Sequence, residues 1–278
     1  MSKLADFREI AYERARNFRD KYNLGNYCAN QLLEILDLLE QDERINIELI
    51  RTPFENIKLA GFIGYKHDTF VIVTNTNLTL GNERFTIAHE IYHLLQNRVY
   101  IKKNSIIEEM VDNDDEDVNE LMANCFATEL LMPKEDIEVY INKMTLNQTK
   151  DIDFSTVIKF QQKYGVDYVA ITKRLKEVGV IEDNKKQELE AILNTYDDLE
   201  KLTKNLGYKN DLNIPSQATL ILQRDLEVLK ANFDNGDTTY DDLVRIFGYL
   251  GCEPEKFGYE SHKELTDAAK NFMDSLLE

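Results

Sequence analysis

The sequence predicts an α+β fold followed by a helical extension. Apolar residues repeat at helical spacing near the N-terminus. Between Ile45 and Asn75 the texture turns to β-branched and aromatic runs. From residue 82 onward the helical period returns and persists. A chain of 278 residues has room for one large or two modest domains. Three parts are expected: a mixed α+β domain over 1–152, a helix-turn-helix-like segment over 153–181, and an all-α accessory domain over 182–278. The polar stretch EDNKKQ (182–187) is read as the linker.

Residues 1–24 and 29–41 (ANQLLEILDLLEQ) read as helices, the second with Leu32, Leu33, Ile35, Leu36 and Leu39 on its apolar face. INIELI, GFIGY and TFVIVTN read as strands of a small, mostly antiparallel sheet, with KHD as the tight turn between the last two. The strand Phe70–Asn75 is expected at a sheet edge, where an extended peptide can add as a further strand. Residues 82–97 and 118–132 form two more helices, the first buried along Ile87, Ile91, Leu94 and Leu95. Pro133 falls in the first turn of the helix after them. Between the two lies EEMVDNDDEDVNE (108–120), with eight acids and no base, expected as a solvated loop. It lacks the glycine an EF-hand loop needs. Residues 153–181 read as two short helices around a turn at Gly165. Further on, 220–230 and 240–251 are amphipathic, the latter preceded by a turn and capped by Thr238 or Thr239.

Composition narrows the function. Thirty-three basic residues against fifty-one acidic ones give a net charge of −18, a poor balance for a protein that neutralises phosphates. Direct nucleic-acid binding is therefore not expected, although Lys159, Lys163, Lys173, Arg174 and Lys176 give 153–181 a basic texture. No apolar run reaches the roughly 18 residues of a membrane helix. The N-terminus lacks the continuous apolar core of a secretory signal. Three cysteines, Cys28, Cys125 and Cys252, are odd in number and widely spaced, which argues against a disulfide framework and for the cytoplasm.

The chemistry concentrates in His89-Glu90-Ile91-Tyr92-His93, an H-E-x-x-H on a predicted helix. Residues four apart share a helix face, with Cβ atoms about 5–6 Å apart. Two imidazoles so placed can converge on one Zn²⁺. Glu90, one residue along, sits to the side of the metal, where it reaches a water as general base. Only four histidines occur in the chain, and two of them have this spacing. A catalytic zinc needs a third protein ligand. Glu120 and Asn124 are again four apart. Glu120 can complete a His₂Glu site, and Asn124 can hydrogen-bond a ligating histidine. Glu129 is the runner-up ligand, but it lies about two and a half turns on and faces elsewhere if Glu120 faces the metal. Tyr92, Tyr140 and His67 are all candidates to stabilise an oxyanion. Cys125 lies off the Glu120/Asn124 face and reads as a small buried residue.

RFTIAHEIYHLL (84–95), followed by E-x-x-A-N-x-F-A-x-x-L-L-M-P (120–133), resembles the ImmA/IrrE family of zinc metallopeptidases. The likeness runs over roughly residues 29–181. It implies a zincin-like fold, zinc held by His89, His93 and Glu120, and Glu90 as the catalytic acid/base. It further implies a protein substrate, typically a helix-turn-helix transcriptional repressor of a phage or other mobile element, whose cleavage relieves repression. Tyr92 departs from the family, which often has glycine before the second histidine; a side chain there narrows the cleft or packs against the sheet. The alternative reading is a non-catalytic protein of the same fold that sequesters a regulator, with 188–278 as the surface for a regulatory partner.

Overall fold

The computed structural model describes residues 3–104, 106–108, 117–146, 152–194, 196–216, 223–249 and 253–260. Contacts divide the chain into two compact units, Met1–Leu220 and Ile221–Glu278.

In the first unit, helix α1 (Lys3–Lys21) and a 3₁₀ turn (Ala29–Gln31) lead into α2 (Leu32–Glu43). Leu32, Ile35, Leu36 and Leu39 of α2 are buried, whereas Leu33 stays 53 % exposed. Arg44 ends α2 in the left-handed conformation and turns the chain into β1 (Asn46–Thr52). Strands β2 (Gly61–Lys66) and β3 (Thr69–Asn75) form a hairpin whose turn residues, His67 and Asp68, have φ of 49° and 60°. Two positive φ values mark the turn that matches strand twist.

The sheet order is β1-β3-β2-β4, where β4 (Ile106–Glu108) is a short strand after α4 (Arg98–Asn104). The β2–β3 and β2–β4 pairs are antiparallel, and β1–β3 is parallel. This corrects one expectation. Phe70–Asn75 is not an edge: β3 is paired on both sides, with Phe70 opposite Ile47 and Tyr65. The parallel β1–β3 pair, which the strand texture did not disclose, moves β3 inside.

Helix α3 (Leu80–Gln96) packs on β2 and β3. Thr79 caps it, its side chain accepting from the Asn82 N–H at 3.2 Å. Residues Thr86 to Leu94 are buried without a break. This is a helix enclosed on every side, not an amphipathic one with a single stripe. Its approach to the sheet is close: a Cβ on Gly61 would lie 2.6 Å from Thr86 Cγ2. Its other side meets α5 (Val118–Leu131), which Asp117 caps and which packs in turn on α1, with the Phe18 and Phe126 rings 5.7 Å apart. After Pro133, α6 (Lys134–Leu146) follows.

Helices α7 (Phe154–Tyr164) and α8 (Tyr168–Glu177) flank Gly165, which has φ of 68°. Asp153 and Asp167 cap them, accepting from the Thr156 and Ala170 N–H groups. This pair is built into the core through Phe160, Tyr164, Tyr168 and Leu175. Part of its basic texture is internal: Arg174 is 2 % exposed, and Lys163 pairs with Asp136 at 2.7 Å.

The expected linker at 182–187 instead opens a helix, α9 (Asp183–Glu190), continued by a 3₁₀ turn (Ala191–Asn194), α10 (Tyr196–Asn205) and another 3₁₀ turn (Asp211–Asn213). Leu189, Ile192 and Leu199 join the main core, so the first unit runs to Leu220 rather than ending at Ile181. The polar run is the outer face of a helix held by a few apolar anchors. The unit's last described residues return to the start of α3: the Leu80 N–H donates to the Ile214 carbonyl at 3.1 Å.

The second unit contains α11 (Gln223–Asp234), α12 (Tyr240–Tyr249) and a 3₁₀ turn (Pro254–Phe257) around Leu243, Phe247 and Tyr259. Thr239 caps α12, its Oγ1 accepting from the Asp242 N–H at 3.1 Å while Asp242 accepts from the Thr239 N–H at 3.2 Å. The acidic residues 109–116, Cys252 and His262 lie outside the described residues. No described helix is long and apolar enough to cross a membrane.

Two substitutions test how α3 is seated. A Cβ on Gly81 would lie 2.3 Å from Asp167 N and 2.5 Å from Val166 C, both backbone. Gly81→Ala is expected to destabilise the protein by about 1–3 kcal/mol, read from its urea midpoint. Glu83, 1 % exposed, is gripped by Arg51 at 2.6 and 2.7 Å, by Thr74 at 2.9 Å and by Ser216 at 3.1 Å. Burial raises its carboxyl, but the Arg51 bonds outweigh that and hold it below its ordinary value of 4.5. A depressed folded-state pKa gives stability that is present above the ordinary value and is lost as pH falls through the folded one. Glu83→Gln should therefore cost about 3 kcal/mol near neutral pH. The gap in Tm between wild type and variant should narrow as the pH is taken below 4.5.

Candidate metal centre

Three side chains from two helices converge. His89 and His93 lie four residues apart on α3, and Glu120 lies in the first turn of α5. His89 Nε2 and His93 Nε2 are 3.0 Å apart. Glu120 Oε2 is 3.1 Å from His89 Nε2, and Glu120 Oε1 is 3.2 Å from His93 Nε2. Among the described residues this is the one group of three His, Cys, Asp or Glu side chains close enough to share an ion. His89 and His93 are buried, while Glu120 keeps 30 % of its side chain exposed and forms the open side.

The outer ring nitrogens explain the orientation. His89 Nδ1 is 3.0 Å from Asn124 Oδ1, and His93 Nδ1 is 3.2 Å from Asn97 Oδ1. An amide oxygen only accepts, so each Nδ1 carries the hydrogen and each Nε2 presents a lone pair. Protons satisfy such a cluster poorly. An N–H on one Nε2 points either at the other imidazole or at Glu120, not at both. A tetrahedral ion with bonds of about 2.0–2.1 Å sets its ligand atoms about 3.3 Å apart, close to the observed triangle. The donor set therefore fits a metal ion. Burial raises the Glu120 carboxyl, but the two histidines beside it outweigh this and hold it well below the usual carboxylate range. It is an anion in the folded protein.

Glu90, 1 % exposed, sits between the two histidines in sequence and a third of a turn round α3. Asn97 was not anticipated. It lies four residues after His93, the same spacing that links Glu120 to Asn124, and it is the residue that ends α3, its N–H donating to the His93 carbonyl at 2.8 Å.

The other candidates lie elsewhere. The Tyr92 hydroxyl accepts from Arg14 Nη1 at 3.0 Å, and the ring packs 5.6 Å from Phe126 and edge-on at 5.8 Å from His93. Its bulk thus fills the space between α1 and α5 rather than lying on the sheet. Tyr140 packs against Phe160 at 4.7 Å with Lys163 over its ring. His67 occupies the exposed β2–β3 turn. Glu129 turns away from the metal cluster and pairs with Arg174, and Cys125 is buried.

Two histidines of the sheet-packed helix α3 and a glutamate of α5 form a cluster that could hold a metal ion. The family model of the IrrE N-terminal-like domain, Peptidase_M78, matches residues 42–176, just under half of the chain. That span contains the sheet, α3, α5 and most of the α7–α8 pair, and it is to this family of metallopeptidase domains that the region is similar. No curated protein matches the chain.

The geometry sets an order of effects on metal binding. His89→Ala should abolish it in elemental analysis of the purified protein. Asn97→Ala and Asn124→Ala should keep the metal but weaken it about 10–100-fold in a competitive chelator titration.

Proposed function

We propose that the protein is a zinc-dependent endopeptidase that cleaves one protein substrate, a helix-turn-helix transcriptional repressor of a phage or other mobile element. The observation that carries the zinc reading is the triangle of His89, His93 and Glu120 donor atoms at 3.0–3.2 Å, with both Nδ1 hydrogens turned outward. Two imidazoles and one carboxylate with an open side are a donor set suited to catalytic zinc. A zinc ion bound there supplies Lewis acidity and acidifies water.

The chain's own part is proton transfer and positioning. Glu90 takes the proton of the attacking water on its carboxylate and returns it to the leaving amine. Its burial beside the ligands keeps bulk water from competing for that proton. Asn97 and Asn124 hold the imidazoles in the ligating tautomer. The substrate class rests on the family resemblance. Such a substrate would be met in the cytoplasm, a location that the free thiols of Cys28 and Cys125 support.

Glu90→Gln separates catalysis from capture. The variant should retain one metal per chain and lose about 10²–10⁴-fold in cleavage of a co-expressed repressor, scored by the appearance of its fragments. Relief of repression by this variant, with the repressor intact, would favour sequestration over proteolysis.

A further inference from the structure

A cavity of about 400 Å³ opens among α1, α5, α6 and α8, and its lining includes Tyr12, Glu129, Glu135, Glu138 and Arg174. It is separate from the metal cluster, none of whose three residues lines it. Its floor is the ion pair of Glu129 and Arg174, whose side chains are 1 % and 2 % exposed.

Arg174 has three of its five N–H groups engaged, and none of these bonds reaches Glu129 Oε1. Nε donates to the Met132 carbonyl at 3.0 Å, Nη1 to Glu177 at 2.8 Å, and Nη2 to Glu129 Oε2. Glu129 Oε1 is buried and has no hydrogen-bond partner among the described residues. A buried carboxylate oxygen without a donor is costly and in native proteins generally has one. Burial raises the Glu129 carboxyl, and the neighbouring Glu135 raises it further, in spite of Arg174. The surroundings are short of positive charge: five glutamates line the cavity against three cationic side chains.

The missing group is a cationic donor, and geometry selects its kind. No three of these carboxylates bring ligand atoms close enough to share a metal ion. The volume instead lies within the roughly 300–1,000 Å³ of small-molecule sites. Tyr12 adds an aromatic wall, over which the Arg174 guanidinium already sits at 5.4 Å.

We propose that this cavity binds a small organic cation, an amine or guanidinium compound, whose N–H group donates to Glu129 Oε1 while Glu135 and Glu138 attract its charge at the mouth. The site is a property of the folded chain and does not depend on the peptidase reading. Calorimetric titration of the full-length protein with agmatine and with putrescine tests it. One saturable site for at least one amine is expected, with no heat from uncharged 1,4-butanediol. Glu129→Gln should weaken that site about tenfold or more, the scale of a charged hydrogen bond. Should that variant misfold, Glu138→Lys, at an exposed position, should still weaken it several-fold. Absence of binding by both amines at millimolar concentration, with water alone filling the cavity, would overturn the proposal. So would binding that both variants leave unchanged, which would mark general attraction to an acidic protein.

Discussion

The structure turns on a helix that is buried on every side and still carries ionisable groups. Along α3, Glu83, His89, Glu90 and His93 are each no more than 1 % exposed. Water does not solvate such groups, so the protein must. The neighbouring elements are arranged to meet that need. At the start of α3, β1 delivers Arg51, β3 delivers Thr74, and the segment after α10 delivers Ser216, all to Glu83. At its end, α5 delivers Glu120 and Asn124, while Asn97 folds back from the cap. The sheet is the wall that makes this enclosure complete, with Gly61 allowing close approach.

Helix α5 is used twice. Its first turns face α3 and hold the metal-facing side chains. Nine residues after Glu120, the helix has rotated so that Glu129 faces α8 and meets Arg174. One helix therefore borders two charged environments of different character. In the first, lone pairs converge and call for a cation of metal size. In the second, an ion pair leaves one oxygen over. The apolar residues between, Ala123, Phe126, Ala127 and Leu130, fix its rotation by packing in the core.

The metal-facing residues were legible because the helix period fixes them. Once His89 and His93 are four apart on a helix, a shared face follows from 3.6 residues per turn. The same rule joins Glu120 to Asn124 and turns Glu129 away. Asn97 obeyed the rule as well, but as a capping residue it reads first as helix punctuation. The tyrosine candidates were not decidable in this way. Whether the Tyr92 hydroxyl meets substrate or Arg14 depends on what packs against that face, and Arg14 of α1 is 78 residues away in sequence.

The sequence by itself determined most of the element types, the turn at His67–Asp68, a threonine cap before α12 and the helix face that the metal-facing residues share, because these depend on residues within a few positions of one another. The tertiary structure decided the rest. It made β1 parallel to β3 and so moved β3 from edge to interior. It drew 182–220 into the first unit through Leu189, Ile192 and Leu199. It buried Arg174 where the sequence showed one more base on a helix. Each of these is a contact between segments far apart in the chain. Local periodicity tells which face of an element is apolar. Only the packing of all the elements together tells which partner that face meets.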